Sequence, residues 1–274
     1  VVWSISSSPT ILNNDGLTSD GTGIGSFTSN LSGLLDNTLY FVRAYATNGV
    51  GTQYGNEISF MTLPGYPTGT IHCSTFPTAI IDVVNPTTGA IWMDRNLGAS
   101  QVATTSLDAA AFGDLYQWGR AADGHQCRTS ATTSVLSNVD QPGHDFFIIT
   151  SATSPNDWRS PQNDILWQGI NGVNNPCPTG YRLPTEVELD SEMQSWSSIT
   201  GEGAFDSPLK LPLADGRNTT GAFVAGGGGG GGYYWSSTVS GTNSKHIDMI
   251  QTLASISPVG NGRSLGFSVR CIKD

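Results

Sequence analysis

The sequence predicts a mainly β fold with a small α content, and three observations carry that prediction. Short apolar runs with a two-residue alternation recur along the 274 residues, separated by clusters of Gly, Asn, Asp, Ser and Pro. Only two stretches carry helical marks: residues 106–116, with Ala109-Ala110-Ala111, and the segment that opens at Thr185. Charged residues make up 12% of the chain, against roughly 25% in an average soluble domain, and Ser, Thr, Gly and Asn take the surface places of Lys and Glu. That composition suits an extracellular β-rich protein better than a cytosolic enzyme.

In chain order, residues 1–64 read as strands at 1–5, 25–28, 39–47 and 57–62, with a Gly/Asp/Ser-rich turn region after the first. Asp20-Gly21-Thr22-Gly23 is read there as a turn. Over residues 39–45, Leu39, Phe41 and Tyr45 alternate with Tyr40, Val42 and Ala44, so apolar side chains fall on both faces, as expected of a strand inside a sandwich. Leu34 followed by Tyr40, with Arg43-Ala44-Tyr45-Ala46-Thr47-Asn48 and Phe60-Met61-Thr62, resembles the fibronectin type III-like repeats of Bacteroidota surface proteins. The resemblance implies a β-sandwich in which Tyr40 offers its hydroxyl to upstream backbone.

In that repeat, Val-Val-Trp-Ser falls near the third strand. The chain is therefore expected to present a sandwich lacking its first strands, about two-thirds of a module of about 100 residues. The expected consequence is an open core and an unpaired sheet edge at Val1, Val2, Trp3, Ser4 and Ile5, ready to accept a strand from a neighbouring copy. A shortened sequence explains the same observation without assembly.

Residues 65–72, with Gly65, Pro67 and Gly69, read as a short semi-rigid linker. A hairpin follows, residues 79–84 and 89–93 around Asn85-Pro86-Thr87-Thr88-Gly89. The second helix has Thr185 as its cap, with Glu186 and Glu188 complementing the first-turn dipole, and runs to about Trp196. Short strands return from Leu209 onward, and residues 226–232, seven glycines, are expected to form a flexible loop. The run Leu265, Phe267, Val269, Cys271 reads as a final strand with Cys271 on its buried side.

Four cysteines, Cys73, Cys127, Cys177 and Cys271, lack CxxC spacing, which argues against zinc and for an oxidising compartment. They allow three pairings. Cys177 lies in Asn174-Asn175-Pro176-Cys177-Pro178-Thr179-Gly180-Tyr181-Arg182-Leu183-Pro184-Thr185, where prolines on both sides exclude helix interior and central strand. This segment, Trp92-Met93-Asp94-Arg95-Asn96-Leu97-Gly98, Asp114-Leu115-Tyr116-Gln117-Trp118-Gly119-Arg120, Tyr234-Trp235-Ser236-Ser237 and Val269-Arg270-Cys271 together resemble the Fibrobacter succinogenes major paralogous domain. The resemblance covers residues 73–274. It implies a C-type-lectin-like α+β domain and a Cys177–Cys271 disulfide, leaving Cys73 and Cys127 as a second pair or as free thiols. It implies no common activity.

The remaining chemistry is sparse. A net charge of −10 with no basic cluster argues against nucleic acid and anionic membranes as partners. No apolar run of about 18 residues suggests membrane insertion, and residues 1–20 lack the pattern of a signal peptide. His72, His125, His144 and His246 are scattered without a hydrolase motif, and Asp123-Gly124-His125 reads as a turn. Asp94, Asp108, Asp114, Asp145, Asp157 and Asp164 offer material for a glycosidase carboxylate pair, but their density is ordinary and one sequence assigns no pair. Arg-Leu-Pro-Thr and the Gly266-Phe267-Ser268-Val269-Arg270-Cys271 ending are similar to the formylglycine-generating enzymes, which need a reactive C-terminal cysteine pair. No cysteine lies between Cys177 and Cys271, so no enzyme is expected.

Gln141-Pro142-Gly143 and Asn156-Asp157-Trp158 resemble lectin calcium loops in composition but not in order. No cofactor is expected beyond a structural calcium. Trp158, Trp167, Trp196 and Trp235 are candidates for stacking on sugar rings, with core packing the favoured role. Asn30 and Asn218 match the N-glycosylation pattern. The resulting expectation is an extracellular structural subunit that joins copies of itself in a surface filament. A glycan-binding adhesin is the alternative.

Overall fold

The computed structural model describes residues 1–151, 156–224 and 230–274. The chain is mainly β, with several antiparallel sheets and two α-helices, and it divides into two compact units, Val1–Gly65 and Tyr66–Asp274.

The smaller unit is one four-stranded antiparallel sheet rather than two facing sheets among the described residues. Its strands are β1 (Val2–Ser4), β2 (Gly16–Leu17), β3 (Leu39–Asn48) and β4 (Gly51–Met61), in the order β2-β1-β3-β4. Residues 25–28 form no strand and are exposed, Phe27 among them. Trp3 organises the sheet: its ring lies over Gly16, where a Cβ would come within 2.2 Å of it, and packs with Tyr40 and Val42. The Tyr40 hydroxyl accepts a hydrogen bond of 3.1 Å from the Leu35 N–H, upstream of it.

Two expectations are corrected here. Val1, Val2, Trp3, Ser4 and Ile5 are not an edge. Val2 pairs with Leu17 on one side and Arg43 on the other, Trp3 with Gly16 and Val42, and the Ile5 N–H is bound by Asp15. The turn at residues 5–15 folds back and covers that side. Residues 39–45 are not buried on both faces either: Tyr40 and Val42 are buried on one face, while on the other Leu39 is exposed and Phe41 and Tyr45 are only half-buried.

In the larger unit the strands are short. The hairpin β5 (Asp82–Val84) and β6 (Ile91–Met93) turns through Asn85, whose Oδ1 accepts from the N–H groups of Thr87 and Thr88. Residues 106–116 yield a single 3-10 turn, Ala109–Ala111, instead of a helix. Gly113, at φ 69°, breaks it, and Tyr116 enters β7 (Tyr116–Gln117). The strands β8 (Thr132–Thr133), β9 (Phe147–Ile148) and β10 (Tyr181–Arg182) precede the helices α1 (Glu186–Gln194) and α2 (Gly201–Asp206). Thr185 and Glu188 close a reciprocal capping box at the start of α1.

The longest strands, β11 (Gly231–Ser240) and β12 (Asn243–Ile250), pair antiparallel, and β12 also meets β13 (Leu253–Ile256) and β14 (Asn261–Gly262). The glycine run thus ends inside a strand: Gly232 faces Met249, whose side chain would lie 2.7 Å from any Cβ there. Residues 225–229, including most of the expected loop, lie outside the described residues. The final strand is replaced by β15 (Gly266–Phe267) and β16 (Ile272–Lys273), and residues 266–272 are all buried, so the expected alternation of faces is absent. β16 lies between β10 and β6, which brings the chain end into the sheet β10-β16-β6-β5.

Residues 66–72 are part of this unit rather than a linker. The Tyr66 hydroxyl donates to Thr78 O and the Ile71 N–H to Ala122 O. Among the described residues three hydrophobic clusters fill the interior, one around Trp92, Leu211, Tyr234 and Ile247, a second around Trp118, Trp167, Trp235 and the Cys177–Cys271 disulfide, and a small third of Ile148, Trp158 and Leu166. Cys73 is bonded to Cys127.

Candidate interaction surfaces

The polar groups of the larger unit are mostly committed to one another. His125 is fully buried; its Nε2 accepts from the Gln117 N–H at 3.0 Å and its Nδ1 lies 2.6 Å from Asp123 Oδ1. Burial and the Arg120 charge hold its pKa down to about 4, against the pull of Asp123, so the ring is neutral with both nitrogens engaged. His246 is likewise buried, between Trp235 and Phe267, with Nε2 2.9 Å from Asp248. Both rings are 0% exposed.

The acids of the lectin-like loops are paired with arginine. Asp157 accepts from the Arg159 N–H and from Gln162, Asp140 lies 2.8 Å from Arg159, and Asp164 lies 2.6 Å from Arg263. A calcium ion would have to displace these cations. Among the described residues no group of three or more His, Cys, Asp or Glu side chains could hold a metal ion. Asp94 chelates Arg95, and Asp108 caps the 3-10 turn.

Trp158, Trp167 and Trp196 do not offer sugar platforms. They are 1%, 0% and 7% exposed, and Trp235 is 0% exposed. Their indole N–H groups donate to Trp118 O, to Arg120 O and Asn174 O, to Glu192 Oε1 and to Tyr116 O respectively, so each ring is fixed inside the core. Asn30 is exposed, whereas the Asn218 amide oxygen already closes a turn by accepting from Thr220 and Ala222.

Sequence reasoning passed over the buried arginines. The Arg270 guanidinium, 2% exposed, binds Asn96 Oδ1, Met93 O and Leu209 O. Arg120 binds the carbonyls of His144 and Phe146 together with Gln117 and Asp123, and Arg217 binds Ser130 and Gly221 O while lying 4.1 Å over the Phe147 ring. Each fork gathers carbonyls, most of them from segments outside the strands. The available signal was their place inside Gln117-Trp118-Gly119-Arg120 and Val269-Arg270-Cys271, where charge among apolar residues marks a buried hub.

Besides a groove of about 350 Å³ bordered by Asp123, Thr129 and Asp145, three accessible features stand out among the described residues. The outer edge of β4 has no strand partner among the described residues. Register breaks opposite Ala44, where Gly55 and Asn56 face a single residue, so a bulge divides the strand and leaves residues 57–61 as a straight edge. Ile58 and Met61 there are 66% and 58% exposed. The second feature is a groove of about 410 Å³ beside Cys177, walled by Pro67, Ile170, Val173 and Pro178. The third is a small cavity floored by Asp114, whose burial pushes its pKa up to about 7, opposed in part by Arg128.

No family model, no curated protein and no solved structure matches the chain.

Proposed function

We propose that the chain is a structural subunit of an extracellular surface filament, joined to its neighbours by a strand added along the free edge of β4. The observation that carries this reading is that edge: residues 57–61 end a sheet whose buried cluster holds only Trp3, Tyr40 and Val42, while Ile58, on the same face as Val42, stays uncovered. An added strand would satisfy the edge backbone and cover Ile58. The resemblance of this unit to repeats of bacterial surface proteins, and of the larger unit to a paralogous surface module, supports the same reading. Two disulfides fit an oxidising compartment, and no described helix is long and apolar enough to cross a membrane.

The test is electron microscopy of assembled material, paired with Ser59→Pro, which removes a backbone donor from the edge strand, and Ile58→Lys. Fibres with a neighbour's strand against residues 57–61 are the expected outcome, and both variants should stay dispersed. Ile58 is exposed, so Ile58→Lys should change the unit's own stability by no more than about 0.5 kcal/mol. Fibres that persist in both variants, or contacts that avoid β4, would overturn the proposal. The glycan-binding alternative loses its aromatic platform with the burial of Trp158, Trp167 and Trp196.

A further inference from the structure

The cavity beneath the Cys73–Cys127 disulfide is lined by Asp114 and by the segment that carries Tyr66, Thr70, Ser74 and Thr78. Its volume, about 10 Å³, has room for one particle the size of a water molecule. Asp114 is 6% exposed, and among the described residues its carboxylate accepts no hydrogen bond and has no ion-pair partner in contact. Gly98 permits this placement: a Cβ there would come within 2.2 Å of the carboxyl carbon. The nearest cation, Arg128, directs its guanidinium to Gly113 O and Ala214 O instead.

The walls present mostly oxygens; His72 and Tyr116 also line the cavity, and among the described residues no hydrogen bond joins either to Asp114. The Tyr66 hydroxyl donates to Thr78 O at 3.0 Å, Thr70 Oγ1 to Pro67 O at 2.7 Å and Ser74 Oγ to Phe76 O at 2.7 Å, while Thr78 Oγ1 receives the Gly98 N–H at 2.7 Å. Protons of three hydroxyls are thus directed away, and their lone pairs are what remains for an occupant. A buried carboxylate that accepts no hydrogen bond is costly, and an anion would worsen it. The small volume excludes organic ligands.

We propose that this cavity binds one small hard cation, sodium or calcium, with Asp114 as its anionic ligand and neutral oxygens of residues 66–78 completing the shell. Oxygen donors of this kind suit hard cations, and a single carboxylate places the affinity in the weak range typical of extracellular sites. The Cys73–Cys127 disulfide holds the covering segment in place.

The test uses the full chain, stripped with chelator into choline chloride and returned to sodium or calcium at constant ionic strength. Saturating cation should raise Tm by about 5 °C, from the linkage expected of a ligand that binds only the folded state. Asp114→Asn should fold, melt at a cation-independent temperature and lose that rise. The sodium and calcium arms identify which ion binds. Should the variant fail to fold, two binding measurements on the native chain decide instead: terbium luminescence excited through Tyr66 and Tyr116 and displaced by calcium, and sodium-23 relaxation. A Tm that follows neither cation beyond the choline control, an equal rise in Asp114→Asn, or no signal in either binding measurement overturns the proposal and leaves the cavity to water.

Discussion

The two units solve the same problem in opposite ways. The smaller has the long regular strands, ten residues in β3 and eleven in β4, yet buries little: Leu12, Ile24, Val50 and Leu63 are more than 80% exposed. The larger relies mostly on strands of two to four residues and long irregular segments, yet it holds two disulfides and most of the buried aromatic residues. The difference teaches that backbone ladders do not make a core. A sheet satisfies its own amides and still needs a second layer to cover its apolar face. Irregular chain can be buried when side chains take over the ladder's role, as Arg120, Arg217 and Arg270 do for the carbonyls of His144 and Phe146, Ser130 and Leu209.

The strongest way to break this comparison is to remove the covalent tie. Replacing Cys177 and Cys271 together by Ala opens a closure of 94 residues and should cost the larger unit roughly 4–5 kcal/mol. Hydrogen exchange read by peptide should show the loss in residues 66–274 and leave residues 1–65 unchanged. Equal loss in both would mean that the units are one cooperative body. The same experiment separates the disulfides, because Cys177 and Cys271 are 1% and 0% exposed whereas Cys73 is exposed. Mild reductant followed by alkylation should label Cys73 and Cys127 first.

Acid sharpens the contrast at the next level. All four histidines lie in the larger unit. The folded pKa of His125, about 4, is below the unfolded value of 6.5, so the unfolded chain binds more protons between those limits. Stability from this group is complete above pH 6.5 and is lost as pH falls toward 4, an effect of roughly 3 kcal/mol. Melting followed by peptide-resolved exchange should show this slope in the larger unit alone. His125→Gln should flatten it even though the variant starts from a lower plateau, and an unchanged slope would assign the acid response to carboxylates instead.

The smallest expected effect tests whether local signals matter inside the packed unit. Thr185→Ala removes the acceptor for the Glu188 N–H and half of the capping box, and should cost about 1 kcal/mol in urea denaturation. A loss near that of the disulfide would show that α1 nucleates the unit rather than decorating it.

How much was legible in the chain follows from the range of each signal. The β5–β6 turn at Asn85, the Thr185 cap and strand β3 were readable because their causes lie within a few residues. The fates of residues 106–116 and 1–5 were not. Gly113 ended the first, and the second gained its outer neighbour from Gly16, which carries no strand signal but makes room for the Trp3 ring. The tryptophans could be named as large apolar groups, yet their burial depended on carbonyls such as Trp118 O and Asn174 O that accept their N–H groups.

By itself, then, the sequence determined the mainly β character, the hairpin and helix start, and the supply of cysteines, all through periodicity, turn chemistry and composition. The tertiary structure alone decided that residues 1–5 lie inside a sheet while β4 is left at its edge. It also decided that Arg270 belongs to the core and that Asp114 stands in a cavity without a hydrogen bond to its carboxylate among the described residues. The physical reason is one of distance. A buried charge or a free edge is defined by which groups arrive from elsewhere, Leu209 O for Arg270, 61 residues away, and no local pattern records that arrival.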